Sequence, residues 1–385
     1  MTRIVALRPG VTRNRSAFEA MAHIYDHLER THDYEFTIVH STTESYEHPR
    51  LKTASIPPKA WKPTVPHIPL FLRRFQYRRH LDPLIESADV VLTVDPTIFS
   101  QGALIIKRAH ALDTPVWYDA SKTIAEPDPH WYAIRPQIRQ AVERTTGIVT
   151  TVPKVLERYR DLGLFDAGIA EKFTMMGHPV DTDAFSPLED TTDCSSGTTD
   201  PVHILAMTRL VPEKGVYYLL EAMEPLLRSG SAELRFLGTG PMRPLLERET
   251  NERNIADEIE FLGTVPHEEV PTILRDADVF VNHAVSIDSW EEYFGAANLE
   301  AMACGLPTVV TDCGGIPYVI RDGDVVEMVD QRDIADLRAT VEHLVNNPQY
   351  REQLGRAGRT YVKENYSIDQ IASKYHEMLQ QRLGE

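Results

Sequence analysis

Residues 292–317 read EYFGAANLEAMACGLPTVVTDCGGIP, and this stretch decides the fold of the second half of the chain. The small and apolar residues after the Phe-Gly pair predict a helix over Ala296–Ala303. That helix ends at Gly305, a residue type that commonly follows a helix C-cap. β-Branched runs at Asp278–Asn282 and Pro307–Thr311 predict a strand on each side of the helix. A strand, a helix and a second strand in this order indicate a parallel sheet.

The same alternation runs along the rest of the chain, where amphipathic stretches such as Ser16–Arg30 separate short β-branched runs. Further strands are predicted at Arg3–Leu7, Tyr34–His40, Asp89–Val94, Pro115–Asp119, Gly147–Thr151, Val202–Met207, Glu233–Leu237, Ile259–Leu262 and Val325–Val329. Residues 189–201, EDTTDCSSGTTDP, have the polar composition of a linker. The fold class is therefore α/β, with two Rossmann-like domains at 1–188 and 202–365 facing across a cleft. Ligands of such sheets bind outside the carboxyl ends of the strands.

Composition and charge exclude several classes of protein. The 385 residues include 40 Lys plus Arg and 57 Asp plus Glu, a formal net charge of −17. Such acidity argues against a nucleic-acid partner, which needs a basic face. Three cysteines are too few for a disulfide framework, and no apolar run reaches the ~20 residues of a membrane span. We therefore expect a cytoplasmic protein without bound metal or cofactor.

The loop after the strand Val202–Met207 carries two cations, Arg209 and Lys214, five positions apart. An arginine fork and a lysine point charge at one strand end suit a diphosphate. The backbone N–H groups of Gly295, Ala296 and Ala297 begin the helix described above, and a helix N-terminus favours an anion. The sequence thus predicts a diphosphate site at this strand end and an anion site at this helix start.

Two glutamates flank this helix start. Glu292 precedes the helix and can reach a hydroxylated ligand, whereas Glu300 can accept two hydrogen bonds from a vicinal diol such as ribose. Gly314 and Gly315 allow the backbone to approach a ligand closely. Glu291 is expected to be an exposed charge, and Cys304 and Cys313 to be small buried packing residues.

Taken together, these motifs resemble retaining glycosyltransferases of family 4, which have the GT-B fold. Glu292 to Glu300 looks like the family's E-x7-E element, and Arg209 to Lys214 looks like its R-x4-K loop. Gly177–Pro187 resembles the segment between the two domains, and Leu237–Pro241 resembles a G-x-GP turn. The resemblance covers roughly residues 150–378 well and the first 150 residues only as a pattern.

The resemblance implies a metal-independent, retaining hexosyltransferase whose donor is a nucleotide-diphosphate sugar held by the second domain. Arg209 and Lys214 would neutralise the diphosphate, and Glu292 would bind sugar hydroxyls near the anomeric carbon. Glu300 would hold the ribose. The remaining donor-binding residues implied are Gly240, Gly295, Ala296, Ala297, Gly314 and Gly315. The helix at about 366–385 would pack back on the first domain.

The acceptor side departs from the family pattern. Pro9-Gly10-Val11-Thr12-Arg13 stands where a Gly-Gly loop is usual, and Asp119 stands near the place of a common histidine. Either Asp119 takes over sugar binding or the acceptor side is rebuilt. The acceptor-side candidates are Asp119, Gly10, Arg13 and His178. His178 and His283 could equally be structural histidines. The acceptor implied is a glycan, a lipid-linked molecule or a small molecule.

One basic, aromatic segment stands out in this acidic chain. Between Ile68 and His80, four arginines (Arg73, Arg74, Arg78 and Arg79) interleave with Phe71, Leu72, Phe75 and Tyr77. The segment could lie on the cytoplasmic face of an anionic membrane or receive a phosphate-bearing, lipid-linked acceptor. The alternative is a domain helix whose arginines pair with nearby carboxylates.

Two Rossmann-like halves are also compatible with two other functions. A nicotinamide-dependent oxidoreductase would need G-x-G-x-x-G, but the turn from Gly238 to Arg243 lacks the third glycine. A catalytically inactive GT-B nucleotide-binding scaffold is the alternative that stays open, although the intact cations and glutamates favour an enzyme.

Overall fold

The computed structural model describes residues 1–8, 15–40, 47–55, 81–97, 100–120, 123, 131–187, 201–320 and 324–383. Gly10, Arg13, Cys194 and the basic segment 68–80 lie outside these ranges. The chain forms two compact units, Met1–Pro179 with Ile371–Glu385, and Val180–Gln370. The change of unit at Pro179 comes nine residues before the end of the predicted first domain at 188. Among the described helices, none is both long and apolar enough to cross a membrane.

The first unit contains a seven-stranded parallel sheet within the described residues, in the order β3-β2-β1-β4-β5-β6-β7. Its strands are β1 Thr2–Arg8, β2 Tyr34–His40, β3 Lys52–Ser55, β4 Val90–Val94, β5 Val116–Ala120, β6 Gly147–Thr150 and β7 Phe173–Met175. Its helices are α1 Arg15–Thr31, α2 Ser100–Ala111, α3 Trp131–Arg144, α4 Lys154–Asp161 and α5 Ala167–Ala170. The short edge strands β3 and β7 were not predicted from the sequence.

The second unit contains a six-stranded parallel sheet in the order β10-β9-β8-β11-β12-β13. Its strands are β8 Val202–Met207, β9 Ala232–Leu237, β10 Ile259–Gly263, β11 Val279–Asn282, β12 Thr308–Thr311 and β13 Glu327–Val329. Its helices are α6 Val216–Arg228, α7 Arg243–Glu252, α8 Val270–Arg275, α9 Ala296–Ala303, α10 Ile316–Val319, α11 Ile334–Asn346 and α12 Pro348–Tyr366. The two parallel sheets confirm the predicted α/β class.

The last helix, α13 Ile368–Leu383, enters the first unit at Ile371. Its His376 ring packs against that of His32 at a tilt of 35°, with 3.7 Å between the ring centroids, and Nδ1 of His376 lies 2.9 Å from the hydroxyl of Tyr34. The C-terminal segment is therefore a packed part of the first unit.

The strand order of the second sheet reverses between β8 and β11, which are neighbours. The segments that follow these two strands therefore leave the sheet side by side at its carboxyl edge. Those segments are the Arg209–Gly215 loop and residues 283–292. The strand order alone therefore brings the Arg209–Gly215 loop next to Glu292, the first glutamate of the E-x7-E element.

Candidate active site

The Arg209–Gly215 loop is held against the segment after β11 by a close backbone approach. Gly215 has φ 62°, and a β-carbon there would collide with the carbonyl oxygen of His283. The N–H of Val285 also donates to the carbonyl oxygen of Glu213 over 2.9 Å. A glycine is required at this point because the left-handed backbone and the contact both exclude a side chain.

This approach brings Lys214 and Glu292 together. Their ammonium and carboxylate form an ion pair, and their side chains are only 14% and 13% exposed. The Lys214 Nζ atom also lies 4.7 Å from the centroid of the Trp290 ring, within the range of a cation–π contact. The structure therefore joins two of the three predicted catalytic residues directly, and it adds Trp290, which the sequence did not single out.

The third predicted catalytic residue, Arg209, stays open to solvent. Its side chain is 61% exposed and lies 3.5 Å from Glu213. The loop behind it is fixed by Gly240, where a β-carbon would collide with the carbonyl oxygen of Leu210. The N–H of Leu210 donates to the carbonyl oxygen of Thr239 over 2.9 Å. Gly240 thus packs the G-x-GP turn onto the cation loop and leaves the Arg209 guanidinium accessible.

Glu292 is fixed through its backbone by the segment after β12. Its N–H donates to Sγ of Cys313 over 3.3 Å, and its carbonyl oxygen accepts from the N–H of Gly315 over 2.7 Å. Gly314 has φ 61°, and a β-carbon there would collide with the same carbonyl oxygen. Gly314 and Gly315 therefore set the position of Glu292.

The predicted helix is confirmed to the residue as α9, Ala296–Ala303. Gly295, with φ 75°, precedes it without a side-chain cap, so the first backbone N–H groups of Ala296 and Ala297 begin the helix at the carboxyl edge of the sheet. Nδ2 of Asn282 donates to Oδ1 of Asn298 over 2.7 Å inside the protein. This buried bond ties the first turn of α9 to the end of β11.

Glu300, in the next turn of α9, has an imidazole partner. Nε2 of His267 lies 3.1 Å from Oε1 of Glu300. His267 follows β10 in the sequence, and its ring centroid lies 5.4 Å from that of Phe185. No sequence motif pointed to His267, because its only signal is its place after a strand end.

The predictions for Glu291 and for Cys304 and Cys313 have different outcomes. The expectation that Glu291 is an exposed charge is wrong, because its side chain is buried where the Gly314 turn packs against its β-carbon. The expectation that Cys304 and Cys313 are buried is confirmed. Burial raises the pKa of the Cys304 thiol to about 12, so this thiol is neutral.

His283 is a buried histidine beneath the cation loop. Its Nε2 accepts the backbone N–H of Arg332 over 3.2 Å. Burial lowers its pKa to about 4, with the guanidinium of Arg332 adding to the decrease and Asp333 opposing it. The ring is therefore neutral at physiological pH and supports the loop from behind.

In the first unit, Asp119 lies near the carboxyl end of β5, partly exposed and paired in register with Val94 of β4. His178 places Nδ1 3.0 Å from the carbonyl oxygen of Pro179. Beside Asp119, at the end of β4, Asp95 is buried with Arg158, whose Nη1 lies 3.3 Å from the carboxylate. This buried ion pair anchors the carboxyl edge next to Asp119 and was not predicted.

Among the residues that the structure describes, no group of three or more His, Cys, Asp or Glu side chains is placed to hold a metal ion.

Known proteins resemble this chain along part or all of its length. Residues 195–361 match the family model of glycosyl transferases group 1. The chain is 27% identical over 330 residues to a GDP-mannose-dependent alpha-(1-6)-phosphatidylinositol monomannoside mannosyltransferase of Mycolicibacterium smegmatis, covering 78% of this chain and 84% of that protein. A GDP-mannose-dependent monoacylated alpha-(1-6)-phosphatidylinositol monomannoside mannosyltransferase of Corynebacterium glutamicum is 28% identical over 273 residues, covering 68% and 70% respectively.

Among solved structures, Anabaena Alr3699/HepE in complex with UDP has a TM-score of 0.78 at 13% identity, covering 99% of this chain and 100% of that one. At this identity the likeness concerns the fold. The molecule thus has a GT-B fold. The family match within residues 195–361 supports a glycosyltransferase activity. This match lies within the second unit and agrees with the family 4 resemblance of the motifs.

Proposed function

We propose that the protein is a retaining, metal-independent hexosyltransferase that uses a nucleotide-diphosphate sugar. The observation that carries the proposal is the Lys214–Glu292 ion pair at the switch point of the second sheet, with the exposed Arg209 in the same loop as Lys214. Two cations and a carboxylate at this edge supply what a diphosphate leaving group and a sugar require. The positive charge of the two side chains takes the place of a metal ion in neutralising the diphosphate.

Each residue has a chemical role in this proposal. Arg209 and Lys214 stabilise the negative charge that grows on the leaving diphosphate, which is an electrostatic contribution. The N-terminus of α9 faces the same charge. Glu300 accepts hydrogen bonds from the ribose hydroxyls, and Glu292 accepts them from the sugar next to the anomeric carbon.

GDP-mannose is the donor that we propose, because two relatives that align along most of the chain are GDP-mannose-dependent by name. A lipid-linked glycan is the acceptor class, since the same names contain phosphatidylinositol mannosides. The basic segment with Arg73, Arg74, Arg78 and Arg79 agrees with an anionic lipid surface by its composition. Asp119 and His178 are proposed for the acceptor side.

A transfer assay tests the function. Purified protein is incubated with GDP-mannose, UDP-glucose or UDP-N-acetylglucosamine and a panel of lipid-linked and soluble acceptors, with and without EDTA. We expect transfer from GDP-mannose that EDTA leaves unchanged, with an α-linked product by NMR. A wild-type protein that binds GDP but, like the Glu292→Gln variant, neither releases nor transfers the sugar would instead be a nucleotide-binding scaffold.

Vesicle flotation tests the acceptor surface. Wild-type protein should float with vesicles that contain anionic phosphatidylinositol at low salt, and a variant with glutamine at all four arginines should not. Equal flotation of both proteins would remove the basic segment from the proposal and leave the donor site unaffected.

A further inference from the structure

Trp290 lies in a short turn whose position is fixed on both sides. The N–H of Ile287 donates to the carbonyl oxygen of Trp290 over 2.8 Å, and the reverse bond is 3.2 Å long. Before the turn, the N–H of Ser286 donates to Oε1 of Gln331 over 2.6 Å. After it, Glu292 is held by the segment that follows β12. The backbone that carries the indole ring is therefore fixed by its own turn and by contacts with two neighbouring segments.

The Lys214 ammonium is held by two partners of different chemistry. Glu292 is an anion and neutralises the charge, whereas the face of the Trp290 ring attracts a cation without cancelling it. A diphosphate competes with the Glu292 carboxylate for the ammonium, because both are anions. It does not compete with the indole ring in this way.

We infer that Trp290 is a positioning residue for the nucleotide-diphosphate site, which keeps the Lys214 ammonium in place while a diphosphate replaces Glu292 as its anionic partner. The inference rests on the proposed function. A free lysine side chain has many rotamers, and restricting them before the ligand binds reduces the entropy lost on binding. The aromatic ring of Trp290 restricts the rotamers of the Lys214 side chain in this way.

The consequence is a specific dependence of diphosphate affinity on the aromatic ring. Trp290→Leu removes the ring face, and the affinity for GDP is expected to fall about five-fold, as for the loss of one cation–π contact. Trp290→Phe keeps a smaller aromatic face and should lose only about two-fold. Ile287→Ala is the matched control, because Ile287 lies on the same turn with its side chain 41% exposed.

Isothermal titration with GDP, on the full chain, tests the inference through a double-mutant cycle with Lys214→Met. Trp290→Leu should weaken GDP binding in the wild-type background and have no further effect in the Lys214→Met background. The ligand-free melting temperature identifies any variant that is misfolded, and Trp290→Phe then carries the comparison.

The outcomes separate the inference from the proposed function. Unchanged GDP affinity in folded Trp290→Leu and Trp290→Phe, with binding still dependent on Lys214, would overturn the role of Trp290 alone. An equal loss in both backgrounds would also overturn it, since the ring would then act without the ammonium. No GDP binding by the wild-type protein would overturn the nucleotide site itself and the role of Trp290 with it.

Discussion

The Lys214 ammonium and the Glu292 carboxylate, 78 positions apart in the chain, form an ion pair. Both belong to the proposed machinery, so the carboxylate occupies the cation that the diphosphate needs. Glu292→Gln keeps the size of the side chain and removes its charge. We expect GDP to bind about five-fold more tightly, as for a gain of about 1 kcal/mol. Transfer should fall at least about 100-fold, because the carboxylate next to the anomeric carbon is lost.

Calorimetric titration and the transfer assay check these opposite changes on the same preparation. Tighter GDP binding together with lost transfer is expected only if the Glu292 carboxylate both competes with the diphosphate for Lys214 and binds the sugar during transfer. Weaker GDP binding in Glu292→Gln would contradict the competition between this carboxylate and the diphosphate.

Arg209 should matter for the ligand and not for the fold. Its side chain is exposed, and its ion pair with Glu213 at 3.5 Å contributes little stability. Arg209→Ala should leave the ligand-free melting temperature unchanged and weaken GDP binding about ten-fold, with a smaller salt dependence. Thermal-shift titrations with GDP at two salt concentrations measure both effects.

The matched control for Arg209 is Arg228→Ala. Arg228 is 49% exposed and also pairs with a glutamate four positions away, Glu224, in the same unit. This control variant should bind GDP like wild type. Full retention of the GDP shift in Arg209→Ala and in Lys214→Ala would remove both cations from the donor site.

Some features of the site could be predicted from the sequence because local chemistry alone specifies them. The bounds of helix α9 could be predicted because a glycine marks each end in the sequence. Gly295 and Gly305 both adopt the left-handed backbone that favours glycine, with φ 75° and 82°. The strands with long β-branched runs were predicted for the same kind of reason. The edge strand Phe173–Met175 was missed because three residues are too few for a periodic pattern.

Other features depend on the strand order and carry no local signal. The contact of Trp290 with Lys214 exists because β8 and β11 are neighbours and because a tight turn aims the ring. Glu291 was assigned to the surface from its charge alone, but the Gly314 turn covers it. Tertiary packing, which a single sequence does not display, decides both.

Gly215 should be far more sensitive to substitution than another glycine of the same backbone conformation. Gly215 and Gly230 have φ 62° and 67°, yet a β-carbon on Gly215 would collide with the His283 carbonyl oxygen while one on Gly230 would meet open space. Gly230→Ala should cost about 1 kcal/mol of unfolding free energy from backbone strain. Gly215→Ala should cost about 3 kcal/mol, because overpacking is added to that strain.

Calorimetric melting of the two variants provides the comparison. GDP affinity should fall in Gly215→Ala only, since the collision displaces the loop that carries Lys214. Similar melting temperatures for the two variants would show that the loop does not need this close approach.

Asp119 allows the acceptor side to be tested separately from the donor side. Asp119 lies at a strand end of the first unit, whereas the proposed diphosphate site consists of residues of the second. Asp119→Asn should reduce transfer about 100-fold and leave GDP affinity unchanged. Steady-state kinetics with varied acceptor, next to GDP titration, measures this difference. An unchanged rate would show that the acceptor side is built from other residues.

His283 makes stability depend on pH in a direction that its burial determines. Its pKa is about 4 in the folded protein against an ordinary value of 6.5, so the unfolded chain binds the proton more readily. Its contribution to stability is complete above pH 6.5 and is lost as the pH falls towards 4. The gap between the two pKa values corresponds to about 3 kcal/mol.

Denaturant unfolding from pH 7.5 to 4.5 should show a steeper loss of unfolding free energy for wild type than for His283→Gln, whose side chain does not titrate. Parallel pH profiles for the two proteins would show that burial does not lower the pKa of His283 in the folded protein.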